Sequence, residues 1–253
     1  MTKSHLAVAI LLASATFVRA QAPDPSLMAE IRKIRAIDNH SHPPRVVSGG
    51  ERDDEFDALP CDPLEPTDLN SMTRPENPQY LAAWKALWGY THDDHSDAHV
   101  KEMLEVKNRI RAEQGDRYPA WVLDHLGIET EFANRVALGR GLDPARFRWV
   151  PFDDALLFPL NNIALAAETP DRKIFFGRET VLLARYRREL GVQAMPATLA
   201  EYTARVVTPE LERQKKDGAV AIKFEAAYLR SLDFEPASQQ DAAATYAKFV
   251  QGG

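Results

Sequence analysis

The chain of 253 residues has a single cysteine, Cys61, so no internal disulfide can hold it together. Stability must come from a hydrophobic core. A thiol nucleophile at Cys61 finds no support either, since no pattern places a base beside it. Basic charge is also scarce. Lys and Arg number 31 against 37 Asp and Glu, a net charge of −6. No basic cluster interleaved with aromatics occurs, which argues against nucleic acid and anionic membrane surfaces as partners. After residue 20 no apolar run approaches the roughly 18 residues that a bilayer span needs. Internal repeats and low-complexity tracts are absent, and there are only seven histidines.

What is present begins with a leader. "MTKSHLAVAILLASATFVRA" places Lys3 before an apolar run over 6–18 and ends on Val18-Arg19-Ala20, small residues at both key positions. It reads as a secretory signal peptide over 1–20, cleaved after Ala20, and predicts an exported protein, periplasmic or extracellular; an uncleaved N-terminal anchor is the alternative. Cleavage takes Lys3 and Arg19 away and leaves 29 basic against 37 acidic residues, a balance of −8.

The mature part, 21–253, alternates between helical and strand patterns. "LMAEIRKIR" has the helical period, and "AIDNHSH" follows as a strand. A Pro- and acid-rich loop covers 43–78, long enough to suggest a functional segment. Helices are expected over "QYLAAWKALWGY", over 96–112 with Val100, Met103, Leu104 and Ile110 inward, and over "PAWVLDHLG" between Pro119 and Gly127. Strands are expected over 130–138 and 147–157, and a helix over 171–190. Thr198 and Glu201 form a capping box, Thr208-Pro209 restarts a helix, and Asp217-Gly218 stops it. "AVAIKFE" (219–225) predicts a fourth strand, and "ASQQDAAATYAKFV" a last helix. Alternation of this kind points to parallel strands with crossover helices, an α/β fold. A closed barrel of the type needs eight strands, and about four are counted.

Two features carry chemistry. In "AIDNHSHPPR", residues 38, 40 and 42 share one face of an ideal strand, so His40 and His42 can grip one ion; neutral imidazole suits Zn²⁺ and its neighbours. Two hydrogen-bonded histidines at a strand end are the metal-free alternative. In "GAVAIKFEAAYLR", Val220, Ile222 and Phe224 alternate with Ala219, Ala221 and Lys223. The small residues leave room beside an inward lysine, which is costly unless paired, modified or used; an exposed edge lysine is the alternative.

"IDNHSHP" resembles the strand-end H-x-H motif of the amidohydrolase superfamily, and "AIKFEAAYLRSLDF" resembles the fourth-strand region of its amidohydrolase-related branch. The resemblance implies an incomplete (β/α)8 TIM-type barrel, about its first four strands, with a helical insertion after strand 1. It implies metal-dependent hydrolysis of an amide, ester or related bond in a small-molecule substrate, with one or two divalent ions, zinc foremost. His40 and His42 would be metal ligands. Lys223 would stand where some members carry a carboxylated lysine, and Asp38 would brace the site from below. The chain departs from the family after Lys223. It has no later histidine, and neither Asp233 nor Asp241 ends a strand, so no catalytic aspartate is assigned. It therefore reads as the N-terminal portion of a longer barrel, inactive alone. A decarboxylase or isomerase on the same barrel, or an exported binding protein without catalysis, are the alternatives.

Lesser candidates remain. Tyr228 and Arg230 follow the Lys223 strand, where an Arg can hold a substrate carboxylate. Asp153 and Asp154 suit either substrate binding or helix capping. His92, His95 and His99 lie at helical spacing among acids, a second metal site or a solvated helix start. His125 reads as a structural residue near a helix end.

Overall fold

The computed structural model describes residues 23–49, 51–56 and 77–250. The expected signal peptide, Cys61 and much of the Pro-rich loop lie outside them. The chain divides into two units, Met1–Arg35 and Ala36–Gly253. In the first, helix α1 (Pro25–Ile31) is capped by the Asp24 carboxylate, which accepts from the Ser26 backbone N–H at 2.7 Å. The helix starts at Pro25, earlier than the 28–36 pattern suggests, because proline is pre-set for a first turn.

The second unit is built on a small α/β sheet. Strands β1 (Ala36–Ser41), β2 (Ile128–Asn134) and β3 (Phe147–Val150) lie in that order, all parallel. Between β1 and β2 come helices α2 (Pro78–Trp88), α3 (Asp97–Gln114) and α4 (Tyr118–Leu126). Helix α4 begins and ends as its sequence dictates. Pro119 sits in the first turn, and Gly127 caps the end at φ 70°, a conformation that favours glycine. On α3 the inward stripe is narrower than expected. Met103 is buried, but Leu104, about 100° further round, is 42% exposed.

Beyond β3 follow α5 (Asp154–Leu157), α6 (Ile163–Ala166) and the long α7 (Pro170–Glu189). Thr198 caps as expected, accepting from Glu201 N at 3.2 Å. Helix α8 (Leu199–Tyr202) then runs through a π turn, Thr203–Val207, into α9 (Thr208–Lys216). The expected restart at Pro209 is thus a continuous helix, with the widened turn preceding the residue that lacks an N–H. Helix α10 (Gln239–Phe249) is capped by Ser238.

Three strand expectations are corrected. The second strand covers Ile128–Asn134 rather than 130–138. The third strand stops at Val150 rather than continuing to 157; Pro151 follows, and α5 takes the remainder. The fourth segment, 219–225, is not a regular strand. It joins β3's continuation through three main-chain bonds: Val220 N to Trp149 O (3.0 Å), Lys223 N to Pro151 O (2.8 Å) and Asp153 N to Lys223 O (3.0 Å). Only the Phe152–Lys223 pair forms a bridge, and it is parallel. Pro151 removes the rung its N–H would have made, so the ladder is interrupted where it should begin.

Two apolar clusters hold the second unit. Helix α7 buries Phe175, Phe176, Leu182, Leu183 and Tyr186 against Phe152, Tyr202, Val206 and Tyr246. The buried tyrosines are satisfied: Tyr186 donates to Phe152 O at 2.7 Å and Tyr202 to Leu156 O at 3.0 Å. A smaller cluster, Leu123, Ala133, Leu142 and Phe147, joins α4 to β2 and β3. No helix among the described residues is long and apolar enough to cross a membrane.

Candidate metal centre

Strand β1 carries a bulge that the alternation rule does not anticipate. Asp38 pairs with Glu131 and Ser41 with Ala133, so three residues of β1 span two of β2. Within β1, Asp38 and Ser41 are the half-buried positions and the other four are exposed. Ser41 Oγ donates to the Glu131 carboxylate, and Asp38 lies close enough to push the Glu131 carboxyl further up, after burial has raised it. Asp38 is thus opposite Glu131 in the register of the two strands. Its carboxylate still accepts from the His40 backbone N–H at 3.1 Å, which fixes the turn of the bulge.

His40 and His42 stay together past the bulge, with ring centroids 5.5 Å apart and planes tilted by 40°. His42 leans on Phe152 at 6.1 Å and on Phe56 at 6.3 Å. Lys223 meets them: its Nζ lies 2.9 Å from His40 Nε2. The two nitrogens are within hydrogen-bond distance, and either can donate according to which ring nitrogen of His40 carries the proton. Strand β1 and the Lys223 segment are three steps apart in the sheet, about 14 Å at normal spacing. Both side chains therefore reach over the same face of the sheet, at the C-terminal ends of its strands.

Behind this contact lie carboxyl groups that the sequence patterns undervalue. Asp154 accepts from the Glu225 backbone N–H through both oxygens, at 2.7 and 2.6 Å, tying the end of the Lys223 segment to the start of α5. Asp153 accepts from Gln214 Nε2 at 2.8 Å and makes no capping bond, so capping does not explain it. Burial first, then neighbouring acids, pushes Asp153 up to about 6; burial raises Asp154 to about 6 as well. Glu179, on α7, is 2% exposed, and neither carboxyl oxygen has a hydrogen-bond partner among the described residues. Burial, then the charges of Asp154 and Glu225, pushes it up to about 9. The signal for Glu179 was available: it lies three to four residues from Phe175, Phe176, Leu182 and Leu183, on the buried stripe of α7.

Arg135 carries no such signal. It is fully buried directly after β2. Its guanidinium donates to Pro43 O at 2.7 Å and to both Asp53 oxygens at 2.9 and 2.8 Å, while Nε donates to Ala137 O at 2.8 Å. Burial alone would raise Asp53, but the hydrogen bonds from Arg135 and the Arg45 N–H outweigh it and hold the carboxyl below its usual range. The segment following His42 is thereby clamped to the end of β2.

The other expected residues are placed differently. Tyr228 is 54% exposed and stacks on Phe175 at 5.4 Å. The Arg230 guanidinium lies 4.4 Å over Phe234, and its Nε donates to Ser231 O. His92 and His99 stack at 3.5 Å, with His99 Nδ1 2.8 Å from Asp94, whose carboxyl the Ser96 N–H and then His99 draw down to about 2. Helix α3 starts only at Asp97, so His92 and His95 precede it. His125 Nδ1 is held by Trp121 O at 2.9 Å, a structural bond.

Among the described residues no three His, Cys, Asp or Glu side chains are grouped to hold an ion. Catalytic zinc sites use three protein ligands. His40 and His42 are two suitable donors, and Lys223 becomes a third only by gaining an acidic oxygen. No protein-family profile, curated protein or solved structure matches the chain.

Proposed function

We propose that the chain is the first half of a (β/α)8 barrel of the amidohydrolase type, belonging to an exported metal-dependent hydrolase. The observation that carries this reading is the 2.9 Å approach of Lys223 Nζ to His40 Nε2, between residues 183 apart in sequence. Support for a continuing sheet comes from Val220, Ile222 and Phe224, which are 48, 47 and 45% exposed although parallel strands are ordinarily covered on both faces.

His40 and His42 would hold a divalent ion, zinc foremost, through their imidazole nitrogens. The Lys223 amine, once deprotonated, would add carbon dioxide, release a proton and offer a carbamate oxygen beside them. When bound, the ion supplies a water acidified toward neutral pH and a Lewis acid for the scissile carbonyl. The chain's own residues keep the donors in place. Arg135 fixes the Pro43 carbonyl next to His42, and Asp154 fixes Glu225 two residues after Lys223. His40 Nε2 presents one lone pair, so an ion taking that nitrogen displaces the Lys223 hydrogen bond.

Equilibrium dialysis of the full chain against zinc, with and without bicarbonate, tests the assignment. Wild type should retain metal, more so with bicarbonate. The double substitution His40→Ala, His42→Ala should abolish retention, and Lys223→Ala should remove the bicarbonate effect. Equal retention by wild type and the double variant overturns it.

A further inference from the structure

A cavity of about 500 Å³ lies among α2, α3, α4 and the start of the segment after β1, within the volume range of small-molecule sites. Its wall includes His42, Trp88, Lys107, Arg111, Tyr118 and Glu131. Lys107 and Arg111 stand one turn apart on α3. Lys107 Nζ lies 4.7 Å from the centre of the Trp88 ring, and the Arg111 guanidinium 5.8 Å from that of Tyr118. Neither cation has a carboxylate partner among the described residues, in a chain whose net charge is −6. The nearby acids are already committed: Glu131 to Ser41, and Asp53 to Arg135 and Arg45.

We propose that this cavity binds a small organic anion, a carboxylate carried on a flat apolar body, with the carboxylate between Lys107 and Arg111 and the body against Trp88 and Tyr118. Arg suits a planar two-oxygen acceptor, and a cation already lying on an aromatic face leaves the ring edge free to pack a flat ligand. Burial first, then the Arg111 charge, holds the Lys107 ammonium below its usual range, and an anion between the two relieves the repulsion. This goes beyond the metal-centre reading and needs no ion.

Titration of the full chain with 2-naphthoate, followed by tryptophan fluorescence and calorimetry in a metal-chelating buffer, tests it. Naphthalene-2-carboxamide, of the same shape without the charge, is the comparison. The acid should bind at least tenfold more tightly than the amide. Lys107→Met and Arg111→Met should each shrink that ratio, and Lys101→Met, on the same helix but outside the cavity, should leave it unchanged. Equal binding of acid and amide, no binding of either, or a ratio that survives both charge substitutions overturns the proposal.

Discussion

Replacing Glu179 by glutamine should stabilise the protein, and do so in a pH-dependent way. The carboxyl is buried, lacks partners among the described residues and titrates at about 9 in the fold, against 4.5 in its ordinary state. Between those values the folded chain holds a proton that the unfolded chain has released. Stability therefore falls as pH rises through this window, by about 1.4 kcal/mol per pH unit. At pH 7.5 the penalty is on the order of 4 kcal/mol, and at pH 5 it is under about 1 kcal/mol. Glutamine keeps the shape and carries no such penalty, although its buried amide gives back about 1–3 kcal/mol. The net expectation near pH 7.5 is a gain of about 2 kcal/mol, or roughly 4–8 °C in Tm. Urea unfolding of wild type and Glu179→Gln at pH 5, 6.5 and 8 measures it. The gap between the two should widen steadily with pH. A gap independent of pH, or a variant less stable at pH 8, would refute the reasoning.

Other outcomes follow from the same geometry. Arg135→Met should destabilise by about 3–5 kcal/mol in urea, because it removes both guanidinium bonds to the Asp53 carboxylate, leaving it Arg45 alone, and frees the segment after His42. Tyr186→Phe removes one buried bond to Phe152 O and should cost about 0.5–1.5 kcal/mol by the same measurement. Gly141→Ala should cost more than about 1 kcal/mol in thermal unfolding. Its φ is 82°, and a Cβ would stand 2.5 Å from Val46 Cγ2 and 3.0 Å from Asp116 O. Asp154→Ala, which leaves the buried Glu225 N–H without its acceptor, should cost about 1–3 kcal/mol and loosen the Lys223 segment, seen as faster amide exchange there.

The features that sequence patterns predict well are those decided within a few residues. Helix α4 is bounded by Pro119 and Gly127, and α8 opens on Thr198, because a cap or a left-handed turn depends only on the adjacent backbone. The parallel α/β order and the helices between β1 and β2 follow from periodicity alone. Strand interiors were less predictable. A one-residue bulge between Asp38 and Ser41 shifts the register of β1 against β2, and Pro151 both ends β3 and breaks the rung to the Lys223 segment. The first depends on how two distant strands register, and the second on which strand the proline happens to face.

By itself, then, the order of residues determined most helices and their caps, the placing of His40 and His42 one residue apart at a strand end, and the lack of an internal disulfide. Tertiary structure alone decided that Lys223 reaches His40 across 183 residues, that Arg135 is buried against Pro43 and Asp53, and that Glu179 keeps its proton beside Asp154 and Glu225. The physical reason is range. Capping and periodicity act through neighbouring backbone groups, whereas charge, burial and proton affinity depend on whatever the fold brings within a few ångströms.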